Sequence, residues 1–355
     1  MTPLVQIIAG RIAQHGPMRL DDYMTLCLLH PQHGYYSTRD PFGASGDFTT
    51  APEISQMFGE MVGLALAQAW LDQGSPARFT LAELGPGRGT LMADILRATR
   101  GVAGFHAAAQ VFLVEASSHL RQVQTDTLAK VWTGPIAHLD RAEDLPAAPL
   151  FLVANEFFDA LPIRQFQLAA DGWAERMVTL DGDGQLAFAL SPPIPLSRQG
   201  KPGDVYEVCP TALPVVGVIG DKIAAHGGAA VIIDYGTWDG QGDSFQALRG
   251  HQYENPLAHP GDADLTAHVD FAPLAAQALT SGANASLPVP QGPWLLSLGI
   301  ATRAARLSQA GDVGANAALA RLTGDDQMGQ LFKAMAIWGP EAPPPPGFLP
   351  IRAKE

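Results

Sequence analysis

Three glycines at alternating positions, Gly85, Gly87 and Gly89, directly follow the apolar segment Phe79–Leu84. Glycine lets the backbone approach a ligand closely and adopts the positive φ angles that a tight turn needs. The next ten residues have the apolar spacing of an amphipathic helix. This pattern predicts a strand, a turn and a helix, and nucleotide-like cofactors bind at such turns in open α/β sheets. A tight turn without a ligand is the alternative, because a glycine-rich loop alone is weak evidence.

An acidic residue, Glu83, lies within the end of the predicted strand. The motif is therefore E-x-G-x-G-x-G, whereas dinucleotide-binding folds have G-x-G-x-x-G. A carboxylate here disfavours a diphosphate and suits a cofactor whose amino-acid end is positively charged. S-adenosylmethionine (SAM) meets that description, and we expect Glu83 to bind its methionine amino group. NAD fits least well, because the third glycine comes too early for its motif.

A second acid, Glu115, ends the next apolar run, Val111–Val114, which has the continuous hydrophobicity of a buried parallel strand. A carboxylate at this place can accept both hydroxyl groups of an adenosine ribose, as it does in NAD enzymes. Glu115 thus predicts a ribose site without distinguishing between cofactors. The alternative is a surface acid that caps the helix beginning near Ser117.

Polar residues also follow the fourth predicted strand, in the segment Asn155–Pro162. Because ligands of open α/β sheets bind beyond the carboxyl ends of the strands, we expect this segment to present groups to a substrate. The carboxylates of Glu156 and Asp159 beside two phenylalanines suit a cationic substrate. The alternative is that the phenylalanines belong to the core and Asp159 caps a helix.

The segment Gly46–Gln56 is rich in small, polar and turn-forming residues just before an apolar helix. We expect it to fold over the cofactor as a lid, with contacts from Gly46, Asp47, Phe48 and Thr49. Ordinary helix-start chemistry is the alternative, with Thr50 or Ser55 as the N-cap residue.

Alternating strand and helix patterns predict an α/β fold with a parallel sheet covered on both faces. Residues 1–75 are expected to form an N-terminal helical extension and lid, and residues 76–355 the core. Within the core we predict a β-rich insertion at 165–210 and acceptor-side loops at 237–290. The insertion should contain a hairpin turn at Asp181–Gly184 and a proline-rich connector at 191–204. The predicted strands of the sheet are residues 79–83, 111–115, 131–137, 150–154, 229–233 and 294–300.

The composition excludes several classes of protein. The chain has 355 residues, a formal net charge of −13 and 47% hydrophobic residues. This acidity disfavours nucleic acid as a partner, and no apolar run reaches the roughly 20 residues of a membrane-spanning helix. Two cysteines in a chain of this length suggest reduced thiols and a cytoplasmic location. The histidines lack metal-ligand spacing, and there is no G-x-S-x-G motif of hydrolases.

Longer motifs resemble the MidA family of SAM-dependent methyltransferases, bacterial and mitochondrial relatives of the complex I assembly factor that methylates arginine. They are HGYY at 33–36, GDFTTAPEISQ at 46–56, ELGPGRGT at 83–90, NEFFDALP at 155–162, IDYG at 233–236 and GDADLTAHVD at 261–270. The second and fourth of these are far more specific than the glycine loop.

The resemblance implies a class I SAM-dependent methyltransferase (Rossmann-like) fold, SAM as cofactor and a protein arginine as methyl acceptor, as in a respiratory complex I subunit. Asn155, Glu156 and Asp159 would then be the catalytic residues. Two other functions stay open, a small-molecule O- or N-methyltransferase and a SAM-binding assembly factor without catalysis. A homodimer is also left open.

Overall fold

A computed structural model describes residues 2–38 and 50–351 of the chain. The chain divides into two compact units. The first comprises Met1–Phe48, Asp159–Ala212 and Thr237–Asp270, and the second comprises Thr49–Phe158, Leu213–Gly236 and Phe271–Glu355. The second unit contains the glycine loop.

The core of the second unit is one sheet whose main strands are numbered in chain order. They are β1 (Phe79–Leu84), β2 (Ala109–Val114), β3 (Ile136–Leu139), β4 (Leu150–Asn155), β5 (Gly228–Thr237) and β6 (Phe332–Trp338). Their spatial order is 3-2-1-4-5-6, with β1 to β5 parallel and β6 antiparallel to β5. Two short segments, Asn284–Ala285 and Val289–Pro290, also pair with β6. The order reverses between β1 and β4, and such a reversal opens a crevice for ligands at the carboxyl ends of the strands.

Helix α1 (Gln56–Asp72) precedes β1 in the chain, α2 (Thr90–Thr99) follows the glycine loop and α3 (Ser118–Leu128) follows β2. The other helices are Ala51–Ile54, Phe105–Ala108, Ala212–His226, Phe271–Thr280, Gln291–Ser297, Ile300–Gln309, Ala315–Thr323 and Met328–Leu331, with a 3₁₀ turn at Ala142–Asp144. Helices α1 and α2 pack closely at Gly63, where an added Cβ atom would lie only 2.9 Å from the Cα atom of Ile95. An aromatic cluster fills the core beneath them, formed by Trp70, Phe79, Phe105 and Phe151.

The first unit is built on antiparallel strands. Its larger sheet contains Met18–Arg19, Arg164–Ala169, Gly172–Leu180, Leu186–Ile194 and Val205–Val208, and its smaller sheet contains Gln246–Arg249, Gln252–Glu254 and Asp264–Thr266. Its helices are Pro3–His15, Leu20–Leu29 and Tyr35–Thr38. The hairpin turn predicted at Asp181–Gly184 is confirmed, since the amide of Asp181 donates to the carbonyl of Gln185 at 2.8 Å.

Three sequence-based assignments differ from the structure. The strand predicted at 131–137 begins later, at Ile136–Leu139. The strand predicted at 294–300 is helical, because Trp294 and Leu295 are buried while Leu296 is 48% exposed, a helical burial pattern; the last strand is β6. The connector predicted from residue 191 begins later, since Leu186–Ile194 is a strand. Its prolines are tolerated because, among the described residues, this strand pairs only with Gly172–Leu180 and therefore lies at an edge.

Within the described part of the chain, no helix combines the length and apolar character needed to cross a membrane.

Candidate active site

The glycine loop connects β1 to α2 through backbone conformations that favour glycine. The φ angles of Gly85, Gly87 and Gly89 are 59°, 50° and 81°. The amide of Gly85 donates to the carbonyl of Val114 at 3.1 Å, so β2 holds the start of the turn. A Cβ atom on Gly85 would also lie 2.9 Å from the ring of Phe157. Gly85 thus lies in the left-handed region and has no room for a side chain.

Glu83 lies at the end of β1 with only 3% of its surface exposed. Its carboxyl group accepts a hydrogen bond from the backbone amide of Met92 in α2, while the atom Oε2 has no partner within the described residues. Burial, aided by the charge of Asp94, raises its pKa from 4.5 to about 8. A buried carboxyl oxygen without a donor is costly, so this atom has the chemistry to receive a cationic donor.

Two further buried acids lie on the helices behind the loop. Asp94 in α2 has its pKa raised to about 6, chiefly by burial and against the attraction of Arg97. Glu60 in α1 is paired with Arg303 through two hydrogen bonds of 2.6 and 2.8 Å. Sequence reasoning missed both acids, because each lies within an ordinary helical pattern.

Glu115 directly follows β2, and several donors hold its carboxylate. The amide of Ser117 donates to Oε1 at 2.7 Å, and Nε2 of Gln124 donates to Oε2 at 3.3 Å. Burial raises the pKa of Glu115, and these hydrogen bonds oppose the shift. The N-cap of α3 is Ser117, whose hydroxyl accepts from the amide of Leu120, so Glu115 is not itself the cap.

Asn155 ends β4, and Glu156 follows it with a φ of 49°, which is uncommon for a residue with a side chain. The amide of Glu156 donates to the carbonyl of Ile233 at 2.9 Å. Its Oε1 accepts from the amide of Ala51 at 3.2 Å and from Nδ2 of Asn155 at 3.0 Å. The opposite atom of that amide, Oδ1 of Asn155, is buried and has no partner among the described residues. A strained, well-anchored residue at a strand end is typical of functional sites.

Phe157 and Phe158 continue this turn in different environments. Phe158 is buried, and its amide donates to Oδ2 of Asp234 at 3.0 Å. Phe157 is partly exposed and lies against Gly85. The alternative interpretation as core residues therefore holds for Phe158. Asp234 of β5 thus contacts the segment that follows β4.

Asp159 belongs to the first unit, where it is 6% exposed. Its carbonyl accepts from the amide of Ala267 at 3.0 Å. No helix follows it before the strand Arg164–Ala169, so the alternative that it caps a helix is wrong. Its predicted catalytic role stays a prediction.

Four of the predicted cofactor contacts, Gly46, Asp47, Phe48 and Thr49, lie outside the described residues. The described chain resumes at Thr50, the N-cap of Ala51–Ile54. Ser55 caps α1 by accepting from the amide of Met57, so the helix-start interpretation of Ser55 is confirmed. The carboxylate of Glu53 accepts from the hydroxyl of Thr90, the first residue of α2, at 2.6 Å.

Across residues 2–38 and 50–351, no group of three or more His, Cys, Asp or Glu side chains is arranged to hold a metal ion. Cys27 and Cys209 are both free thiols.

Comparison with known proteins gives concordant matches. Residues 61–289 match the model of a family described as "Putative S-adenosyl-L-methionine-dependent methyltransferase". The protein arginine methyltransferase NDUFAF7, mitochondrial, of Xenopus tropicalis is 35% identical over 367 residues, covering 94% of this chain and 85% of the relative. The human protein of the same name is 36% identical over 331 residues, covering 85% of this chain and 75% of its own length.

A solved structure resembles the whole fold. The crystal structure of a COG1565 superfamily member from Burkholderia thailandensis bound to S-adenosyl-homocysteine has a TM-score of 0.84 and 30% sequence identity, covering 94% of this chain and 91% of that one. A native crystal structure from the same organism has a TM-score of 0.81 and 29% identity.

Proposed function

Because this chain belongs to the family of S-adenosyl-L-methionine-dependent methyltransferases, we propose that it transfers the cofactor's methyl group to an arginine of a protein. Family membership confirms the predicted resemblance, the Rossmann-like fold, the methyltransferase activity and SAM as cofactor. One observation carries the choice of arginine: relatives named protein arginine methyltransferase align with 94% of the chain.

The residues around the glycine loop fit this cofactor. Gly85 keeps the turn tight, since its φ is 59° and a Cβ atom there would meet Phe157. Oε2 of Glu83 is a buried acceptor for an amino group, and Glu115 is a carboxylate for the ribose. When bound, SAM supplies a methyl group on a positively charged sulfur, which makes that carbon electrophilic.

The chain's own task at the acceptor side is to orient a guanidinium group. An arginine stays protonated at working pH, so its nitrogen attacks only when its lone pair is freed by localising charge elsewhere. The nitrogen loses one N–H proton to water as its bond to the methyl carbon forms and the bond between that carbon and sulfur breaks. Oδ1 of Asn155 is an acceptor for one guanidinium N–H, and Glu156 supplies negative charge next to it. Catalysis then comes mainly from positioning and electrostatic stabilisation. The catalytic role of Asp159 that the resemblance implies belongs to the same proposal.

The formal charge of −13 favours a basic protein as substrate. A respiratory complex I subunit is the substrate we propose, in keeping with the family resemblance. Location in a bacterial cytoplasm, which the free thiols favour, and assembly into a homodimer belong to the same proposal.

The test is methyl transfer from labelled SAM to the separated subunits of a bacterial respiratory complex I, with the site located by mass spectrometry. We expect label on arginine, lost in Asn155→Leu and Glu156→Gln variants that still bind S-adenosyl-homocysteine. The Glu143→Gln variant, which changes an exposed acid, is the matched control and should retain transfer.

Other outcomes of this experiment identify the alternatives. Label on a small molecule and on no protein would indicate a small-molecule O- or N-methyltransferase. Cofactor binding without any transfer would indicate an assembly factor without catalysis. Unchanged transfer in the Glu156→Gln variant would remove Glu156 from the catalytic set.

A further inference from the structure

Gln124 is a glutamine of α3 that is completely buried, although a neutral amide gains nothing from burial unless its hydrogen bonds are satisfied. Its Nε2 donates to the carbonyl of Gly87 at 2.8 Å and to Oε2 of Glu115 at 3.3 Å. One amide group therefore contacts both the glycine loop and the acid that follows β2.

The stem of the same side chain lies close to Gly89. A Cβ atom on Gly89 would lie 3.4 to 3.6 Å from the Cα, Cβ and Cγ atoms of Gln124, which is van der Waals contact. Gln124 thus donates a hydrogen bond to Gly87 and has its stem close to Gly89.

His138 of β3 lies beside the amide oxygen of Gln124. Its Nε2 lies 3.0 Å from Oε1 of Gln124. An amide oxygen only accepts hydrogen bonds, so the proton of this pair must lie on Nε2 of His138. Rotating the amide by half a turn would bring its oxygen against the carbonyl of Gly87 and the carboxylate of Glu115, neither of which donates a hydrogen bond. The contacts with Gly87 and Glu115 therefore fix the orientation of the amide, and His138 donates to its oxygen.

We propose that Gln124 is a positioning residue for SAM. It orients the carboxylate of Glu115 toward the cofactor ribose and holds the glycine loop at a fixed distance from that carboxylate. A carboxylate has about four acceptor positions. The donors Ser117 and Gln124 lie on different oxygens, which fixes the plane of the group and leaves acceptor capacity on both oxygens for two ribose hydroxyls. The proposal rests on the predicted ribose role of Glu115 and is independent of the methyl acceptor.

The experiment compares binding of S-adenosyl-homocysteine and its 2′-deoxy analogue to the full chain by calorimetry. We expect the wild-type protein to bind S-adenosyl-homocysteine about tenfold or more tightly than the analogue, because one hydrogen bond to a charged group contributes about that much to affinity. Gln124→Met, of similar length and without donors, should reduce this preference to about threefold or less. If Gln124 only packed against its neighbours, its replacement would weaken the binding of both ligands equally and leave the ratio of the two affinities unchanged.

Gln122→Met is the matched control, because Gln122 lies on the same helix with an exposed hydrogen bond to Asp126. It should behave as the wild type. His138→Phe keeps a ring at β3 but removes the donor to Gln124, so it should reduce the preference in part and serves if Gln124→Met does not fold.

An unchanged preference in Gln124→Met or, if that variant does not fold, in His138→Phe would overturn the proposal. A preference that survives Glu115→Ala would overturn its premise, because the ribose would then be recognised elsewhere.

Discussion

Replacing Glu83 by glutamine should change how the stability of the ligand-free protein depends on pH. The carboxyl group is 3% exposed, and burial raises its pKa from 4.5 to about 8. The native state therefore keeps its proton at pH values where the unfolded chain has lost it. Between pH 4.5 and pH 8 the native state binds more protons, so the free energy of unfolding of the wild type falls as the pH rises.

The size of the effect follows from the same two values. Their difference is about 3.5 pH units, and each unit corresponds to about 1.4 kcal/mol, so ionisation of Glu83 costs at most about 5 kcal/mol of stability by pH 9. Relaxation of the surroundings lowers this ceiling. Glutamine keeps the carbonyl that accepts from Met92 but cannot ionise, and any pH-independent cost of the substitution cancels when two pH values are compared.

The assay is urea unfolding of both proteins at pH 5.5, 7 and 8.5 without cofactor. The free energy of unfolding of Glu83→Gln, relative to that of the wild type, should increase by several kcal/mol between the lowest and the highest of these pH values. Glu143→Gln, at an exposed site, should follow the wild type. Parallel curves for Glu83→Gln and the wild type would refute the buried, protonated carboxyl group.

Three other substitutions test contacts that support the two units. Arg303→Met leaves the buried carboxylate of Glu60 without its partner and should cost about 2–3 kcal/mol in urea unfolding, because Arg303 is itself partly solvated; equal stability would show that the pair contributes nothing. Phe105→Ala opens a cavity in the aromatic cluster and should cost about 3–5 kcal/mol by the same measurement, and a loss below about 1 kcal/mol would contradict the packing. Tyr36→Phe removes the hydroxyl that donates to Oδ1 of Asp264 at 2.8 Å and should cost about 1–3 kcal/mol, with faster hydrogen exchange in Asp264–Thr266; unchanged exchange would contradict it.

The parallel sheet was predictable because its strands carry local signals. Segments such as Phe79–Leu84 and Leu150–Ala154 are continuously apolar and end in polar or turn-forming residues, and the structure confirms them as strands. The turn at Gly85 was predictable for a similar reason, since alternating glycines after an apolar strand favour a tight turn with positive φ angles. Trp294–Ile300 was misassigned because short apolar runs do not distinguish a strand from a helix.

The details of the site depend on contacts between residues far apart in sequence. Nothing in the local sequence distinguishes Gln124 from other glutamines of a helix, because its contacts with Glu115 and Gly87 form only in the folded chain. Glu156 has a positive φ where its amide donates a hydrogen bond to the carbonyl of Ile233 in β5, a contact that no local sequence pattern predicts. The grouping of the N-terminal helices with Asp159–Ala212 in one unit also has no signal in either segment alone.

The central claim is that the loop between β1 and α2 binds SAM. Calorimetric titration with S-adenosyl-homocysteine tests it most directly when the wild type is compared with Gly85→Ala, because an alanine there would have a φ of 59° and a Cβ atom 2.9 Å from Phe157. We predict saturable binding by the wild type and a loss of at least about tenfold in affinity by the variant, with the circular dichroism spectrum unchanged. Equal affinity in the two proteins would contradict the claim and place the cofactor elsewhere.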